Sequence, residues 1–398
     1  MYLNTQNKKE CTGCSACESI CPKNCISMEI DNEGFKYPKI NLDECIHCHL
    51  CETVCPIDTE VNVTRSKFVS GYSKSKDIHK SGSSGGFNYG FARYFLEQGG
   101  YVFGVVLDDQ LKAKHVCIHS IGNILSICKS KYIQSDISHI FEDVKKLLEL
   151  KKMVMFTGTP CQVNGLYKYL NKDYENLLII DFACQGVCSQ SFFDNLIEME
   201  EKQKNIKIVK FMFRSKSSKL FTHPHYYAYE FVKENKLRKR EGDFFDFPFY
   251  YAYKTYNFFR PSCYNCKYNS NKRISDVTLS DFWKGQKYYK DIKIKKGVSL
   301  LMLNTKKGEK FFDYISDNYE IKVHDENEVS DFAGWRNCAI RDDKQRNNLM
   351  NKYMEMDIKE FCKIYLNPKI TYKLRVLLPY CVPLWLIRLK RYIGGHNR

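Results

Sequence analysis

Cys11-x2-Cys14-x2-Cys17-x3-Cys21-Pro22 and Cys45-x2-Cys48-x2-Cys51-x3-Cys55-Pro56 are two copies of one run. Thiolates at this spacing wrap three corners of a four-iron, four-sulfur cube. When two such runs pair, the fourth cysteine of each crosses to the other cube. The rule predicts Cys11, Cys14, Cys17 and Cys55 on cluster one, and Cys45, Cys48, Cys51 and Cys21 on cluster two. The proline behind each fourth cysteine removes a backbone donor and stops the local turn. Zinc and disulfides also use cysteine, but neither requires this doubled spacing. Cys25 falls outside the pattern and has no role in it.

A second set is less regular. Cys161 stands in Gly158-Thr159-Pro160-Cys161-Gln162, behind an apolar run at 153–156, and Cys184 follows the run at 177–182. If both runs are strands of one parallel sheet, their carboxyl ends share a ligand crevice and the two thiols face it. Cys263 and Cys266 form a C-x2-C pair behind Pro261. Cys161, Cys184, Cys263 and Cys266 make a candidate third cluster. A zinc site from the same residues, or buried inert thiols, are the alternatives. Cys188 is near enough to Cys184 to compete as a ligand.

Ser81-Gly82-Ser83-Ser84-Gly85-Gly86 runs into a helical face of Phe87, Phe91, Tyr94 and Phe95. Small residues let backbone approach a ligand, and free N–H groups at a helix start suit phosphate oxygens. A linker ending in an N-cap is the plainer alternative. No G-x-G-x-x-G fingerprint is present, so an ordinary dinucleotide site is not expected.

The elements that must hold these residues follow from hydrophobic period. Residues 26–30 and 36–40 read as a hairpin, and 61–80 as a polar connection. Strands at 101–107, 153–156 and 177–182 alternate with helices at 140–150, 162–170 and 191–204, which implies a mostly parallel sheet. Strands at 206–213, 226–232, 277–279 and 298–303 read as antiparallel or mixed. From about residue 345 the chain reads as helical and basic. A length of 398 residues allows two or three domains.

The nineteen cysteines would suggest disulfides in a secreted chain. Here Met1-Tyr-Leu-Asn-Thr5 is not an apolar leader and cluster assembly needs reduced thiols, so a cytoplasmic location is expected. The formal charge of +16 counts thiols as neutral, and thiolate-held clusters subtract from it. Its cations are spread out, and the densest run, 233–240, lies in a hairpin. Nucleic-acid binding is therefore not expected.

Several stretches taken together resemble the coenzyme F(420) hydrogenase/dehydrogenase beta-subunit family, in its bacterial branch with an N-terminal two-cluster ferredoxin domain. They are Ser83-Ser-Gly-Gly86, Glu97-Gln-Gly-Gly-Tyr-Val-Phe-Gly104, Ser130-Lys-Tyr-Ile-Gln-Ser-Asp136, Gly158-Thr-Pro-Cys-Gln162, Asp181-Phe-Ala-Cys-Gln-Gly186, Cys263-Tyr-Asn-Cys266 and Ser275-Asp-Val-Thr-Leu-Ser-Asp-Phe-Trp283. The likeness covers about residues 1–320. It implies α+β and α/β architecture in three parts: a ferredoxin domain at 1–62, a mixed-sheet flavin-binding α/β core at 66–330, and a basic helical tail at 345–398.

The resemblance also implies an iron-sulfur flavoprotein oxidoreductase. Electrons pass from the ferredoxin-type clusters through a third 4Fe-4S cluster, on Cys161, Cys184, Cys263 and Cys266, to FAD and an organic substrate. Ser83, Ser84, Gly85, Gly86, Lys131, Tyr132, Thr159 and Gln162 would contact the flavin. A lysine there stabilises negative charge on the reduced cofactor. Bacterial relatives accompany polysaccharide-biosynthesis genes, so a small-molecule or glycan substrate is expected, with reduced ferredoxin or a redox partner protein as donor. The deazaflavin of the family's name is not carried over. The alternative functions are an electron-relay subunit without its own substrate, and a redox sensor. Gln185 stands where relatives often have His, and no acid–base residue is assigned. Asp276 and Asp281 approach the core site by the same likeness.

Residues 376–387 are an apolar run flanked by Lys373, Arg375, Arg388, Lys390 and Arg391. The run is shorter than the roughly 20 residues that a membrane span takes. Either it anchors the chain peripherally at the inner membrane face, with Trp385 and Tyr392 at headgroup depth, or it packs on the core or a partner. Protein purified without oxygen is expected to carry about twelve irons and one FAD per chain. About eight irons without flavin would remove the core site.

Overall fold

The computed structural model describes residues 1–58, 67–216, 226–243, 245–268, 270–283, 285–289, 296–329, 343–369 and 372–373. In the N-terminal unit, β1 (Ile26–Ile30) and β2 (Lys36–Ile40) pair antiparallel. Their turn is tied by the Asp31 carboxylate, which accepts from the Glu33 and Phe35 amides. Short helices Ala16–Ile20 and Leu50–Thr53 carry Cys17 and Cys51 and pack together.

The core is an eight-stranded sheet. Its strands are β3 (Lys67–Ser73), β4 (Tyr101–Leu107), β5 (Ala113–Ile118), β6 (Val154–Thr157), β7 (Leu177–Phe182), β11 (Val277–Asp281), β12 (Ser299–Leu303) and β13 (Tyr319–His324). A separate antiparallel sheet holds β8 (Lys207–Met212), β9 (Tyr226–Lys233) and β10 (Lys236–Asp243). The large sheet runs β13-β3-β12-β11-β7-β6-β4-β5. β4, β6, β7 and β11 are parallel, and the remaining strands pair antiparallel.

The period of two sorts side chains onto two buried faces, which is why the central strands read as unbroken apolar runs. Met155, Leu178 and Ile180 face helices Phe87–Glu97 and Lys306–Ser316. Val154, Phe156, Leu177 and Ile179 face helices Ile140–Glu149 and Pro160–Leu170. Cys14, Ala16 and Val54 join that second core, so the N-terminal unit docks on this face. A third, aromatic core lies between helix Gln190–Lys204 and the small sheet, with Phe193, Phe211 and Phe213 in mutual contact.

Three sequence expectations change here. Residues 67–73, read as part of a polar connection, form an interior strand. Its serines are buried yet satisfied: Ser70 Oγ lies 2.9 Å from Tyr289 Oη and 2.6 Å from His324 Nε2. The helix expected from 162 begins at Pro160, because proline suits a first helical turn and Thr159 with Gln162 forms a capping box. In the expected tail, helices Asp343–Glu355 and Ile358–Tyr365 pack into the aromatic core through Tyr353 and Phe361. The apolar run at 376–387 lies outside the described residues. No described helix is long and apolar enough to cross a membrane.

Gly90 is inside helix Phe87–Glu97, where a Cβ would run into the Tyr319 hydroxyl. That hydroxyl donates to the Gly86 carbonyl at 3.0 Å. Alanine in a helix interior normally gains about 1 kcal/mol over glycine. Gly90→Ala is expected to lose about 1–3 kcal/mol instead, through overpacking. Thermal unfolding reads the sign.

Candidate metal centres and cofactor site

The loop from Cys11 turns through Gly13 at φ 68°, and Ser15 and His49 start the two short helices at φ 59°. These left-handed residues fold the thiols inward. Burial pushes the Cys14 thiol up to about 12, and the Cys11 and Cys55 thiolates add to it. Cys17 is raised by burial and by Cys14, Cys11 and Cys55. These four, with Cys51 of the other run, line one pocket. Cys51 is raised by burial, then by Glu52, with Cys48 and Cys21 further neighbours. The chain thus brings Cys55 to the first run and Cys21 to the second. Cys25 joins the second group: its Sγ is 3.4 Å from that of Cys21, and Cys45 acts on it.

The other four candidate thiols gather at one rim of the large sheet. Cys161 lies in the first turn of helix Pro160–Leu170, its Sγ 3.2 Å from Thr159 Oγ1. Cys184 follows β7, and Cys263 and Cys266 belong to the turn at Pro261–Asn265 and its C-cap. Cys161 is held well above the usual thiol range by burial, then by Cys266, Cys184 and Cys263. Cys184 is pushed up to about 12 by burial, Cys263 and Cys266. Cys188 is fully buried, and its cysteine neighbour is Cys263. Among the described residues, no three Cys, His, Asp or Glu side chains meet closely enough for a single metal ion. A cube with iron at its corners asks for thiols set wider than the one-ion geometry of zinc. Arg273, in a buried ion pair with Asp181 at 3.4 Å, offsets part of the rise at Cys184.

The two regions touch. A Cβ on Gly165 would lie 3.0 Å from Cys14 Sγ. The Pro56 carbonyl, next to Cys55, accepts from Asn164 Nδ2 at 3.4 Å and from the Tyr268 hydroxyl at 3.2 Å. Burial raises the Tyr268 hydroxyl, and thiols of both groups, Cys161 and Cys14, act on it.

The residues expected at a flavin are partly committed elsewhere. Ser83 Oγ accepts from the Ser130 amide at 2.7 Å, which ties its loop to the Ser130–Lys131–Tyr132 stretch. Ser84 Oγ donates to the Val298 carbonyl, and the Gly85 amide donates to Ser299 Oγ. Gly86 is the N-cap of helix Phe87–Glu97, at φ 91°. Gln162 Oε1 accepts from the Thr159 amide, and its Nε2 donates to Ser135 Oγ. The Lys131 ammonium donates to the Cys128 and Ser126 carbonyls at 2.9 and 3.3 Å. Burial lowers it to about 8. Tyr132 lies in the aromatic wall, 4.5 Å from the Tyr253 ring centroid.

Sequence reasoning missed a neighbouring cation group. Arg214, buried, pairs with Asp281 at 2.7 Å and lies over Trp283 at 5.6 Å. Lys216 donates to the His79 carbonyl and to the Ser84 carbonyl, beside the expected phosphate loop. Lys216 is lowered to about 7 by burial and Arg214, and Lys254 to about 8 by the same causes. Among the described residues, three cations therefore share one carboxylate, and Arg214 Nε has no hydrogen-bond partner. An anion is the natural complement of such a site. The available signal was a cation closing an aromatic run, as in Phe211-Met-Phe213-Arg214 and Tyr250-Tyr-Ala-Tyr253-Lys254. Asp276 is not at this rim: at the amino end of β11, it accepts from the Ile179 amide and Thr305 Oγ1.

Residues 151–329 match the family described as the C terminus of the coenzyme F420 hydrogenase/dehydrogenase beta subunit. Residues 10–59 match the 4Fe-4S dicluster domain. Among solved structures, the chain is similar to one in the xenon-derivatised F420-reducing NiFe hydrogenase complex of Methanosarcina barkeri. That likeness has 16% identity and a TM-score of 0.46, over 75% of this chain and 96% of that one. No curated protein matches the chain.

Lys216 and Lys254 titrate in the folded chain well below their ordinary 10.5. Between about pH 7 and 8.5 the unfolded chain therefore binds more protons, so the stability of the cofactor-free protein should rise with pH. The raised thiols act in the opposite sense only above their ordinary value of 9.0. Affinity for inorganic pyrophosphate should fall over the same window as the ammonium charges are lost. Calorimetry reads both trends, and pyrophosphate affinity independent of pH would exclude these lysines as its site.

Proposed function

We propose, for a chain that joins a 4Fe-4S dicluster domain to the C-terminal domain of a coenzyme F420 hydrogenase/dehydrogenase beta subunit, an oxidoreductase holding FAD and a third 4Fe-4S cluster in its core. One observation carries this reading. β6, β7 and β11 end at the same rim, and that rim collects Cys161, Cys184 and the cation group around Asp281. Clusters exchange single electrons and flavin exchanges one or two, so together they let one-electron donors serve a two-electron substrate.

Each residue has a task within this reading. Cys161, Cys184, Cys263 and Cys266 hold the third cluster. The Thr159–Gln162 capping box fixes the helix end that presents Cys161. Arg214, Lys216 and Lys254 supply charge for the flavin pyrophosphate. Ser83, Ser84, Gly85, Gly86 and Tyr132 shape the wall beside it, and Lys131 braces that wall from behind. Residues 1–62 serve as the entry domain and 66–330 as the flavin core, and the helices Asp343–Glu355 and Ile358–Tyr365 follow. A redox partner protein or reduced ferredoxin donates, and a glycan or other small organic molecule accepts.

Cys161→Ser is expected to lower iron from about twelve to about eight per chain while FAD stays bound. Reduction of that FAD through the clusters should then slow, followed by its absorbance after dithionite. Twelve irons retained in the variant would remove the third cluster from the reading.

A further inference from the structure

Arg260 immediately precedes the turn that carries Cys263 and Cys266, yet its guanidinium serves the other domain. Nε donates to the Cys11 carbonyl at 2.7 Å, and Nη2 to the Lys36 carbonyl at 2.8 Å and to Cys11 Sγ at 3.4 Å. Nη1 donates to Gln134 Oε1 at 3.0 Å. The group lies over the Tyr37 ring at 4.2 Å and near Phe35 at 5.6 Å. The residue is only 1% exposed. Its hydrogen-bond partners among the described residues are carbonyls, an amide and a thiol, with no carboxylate. A buried cation so placed requires a negative counterpart, and the thiol it hydrogen-bonds is the cluster-one ligand Cys11, with Cys263 a weaker influence.

Backbone constraints fix it there. The Arg260 amide donates to the Val187 carbonyl and its carbonyl accepts from Cys263 N. Gly13 leaves the space for it, since a Cβ there would lie 2.8 Å from Nη1. At cluster two the strongest charge acting on Cys51 is Glu52, of the opposite sign.

We infer that Arg260 makes cluster one the electron-holding member of the pair, by stabilising its reduced form over that of cluster two. The inference rests on the dicluster reading above. Charge and hydrogen bonds at the sulfurs set cluster potentials, and a cation favours the more negative, reduced state. One electron leaves cluster two, which is oxidised, and enters cluster one, which is reduced; no bond or proton moves. It would then reside on the cluster held by Cys14, whose thiol lies beside Gly165 in the helix carrying Cys161. Arg260 is a tuning residue and touches no substrate.

Potentiometric titration of the full chain, followed by electron paramagnetic resonance, tests this. The unaltered protein should show two separate dicluster waves. Arg260→Gln should lower the higher one alone, with iron content unchanged, and Arg260→Lys should fall between. The inference is overturned if Arg260→Gln keeps its iron and no wave moves, or if all waves shift together. Coincident dicluster waves in the unaltered protein would also overturn it, whatever the variants do. A lack of dicluster iron in the unaltered protein would overturn the dicluster assignment, and this inference with it.

Discussion

Several thiols in one buried space cannot all ionise unless something positive stands among them. The cysteine groups of this chain are built on that conflict. Burial and neighbouring sulfurs together raise Cys14, Cys161 and Cys184, and in the dicluster domain at 10–59 the iron of a cluster would relieve the repulsion. Metal binding of this kind is also folding energy. In the N-terminal unit Phe35 and Tyr37 are buried, while Ala16 and Val54 are buried in the core shared with the large sheet. The unit's left-handed Ser15 and His49 are held by their surroundings, and clusters would contribute to holding them.

The large sheet solves a delivery problem. Parallel strands point one way, so β6, β7 and β11 bring their following residues to a common rim although the chain separates them widely. Both faces of these strands are covered, leaving the rim as the place where polar chemistry meets solvent. The face lined by Phe156 and Leu177 has a second use, because the N-terminal unit packs into the same core. Docking and ligand presentation therefore share the helix Pro160–Leu170.

Elements with strong local signals were legible in the sequence. The β1–β2 hairpin and β7 fall where alternation or unbroken apolar runs put them. β3 was not legible, since Lys-Phe-Val-Ser-Gly-Tyr-Ser carries few large apolar side chains. Its burial depends on Tyr289 and His324, far along the chain, satisfying Ser70. The doubled cysteine run was legible because two paired clusters impose spacing on their ligands, and residues 10–59 match the dicluster domain. Arg214, Lys216, Lys254 and Arg260 escaped for the complementary reason: each draws its meaning from partners that folding alone supplies. Gln162 caps its helix and binds Ser135, a role the sequence reading did not give it.

Cys161 and Gly165 are four residues apart on one helix and so share a face, with a rise between them of about 6 Å. Cys14 rests on that glycine. The helix is thus a gauge block whose length, set by backbone hydrogen bonds, fixes the gap between the thiol of Cys161 and the Cys14 group of the N-terminal unit. Such a gauge tolerates substitution on its outer face but not insertion. A single residue added between the two positions would turn the glycine about 100° away from the thiol it admits. Sequence drift in this helix is therefore confined to its few exposed positions and locked in count.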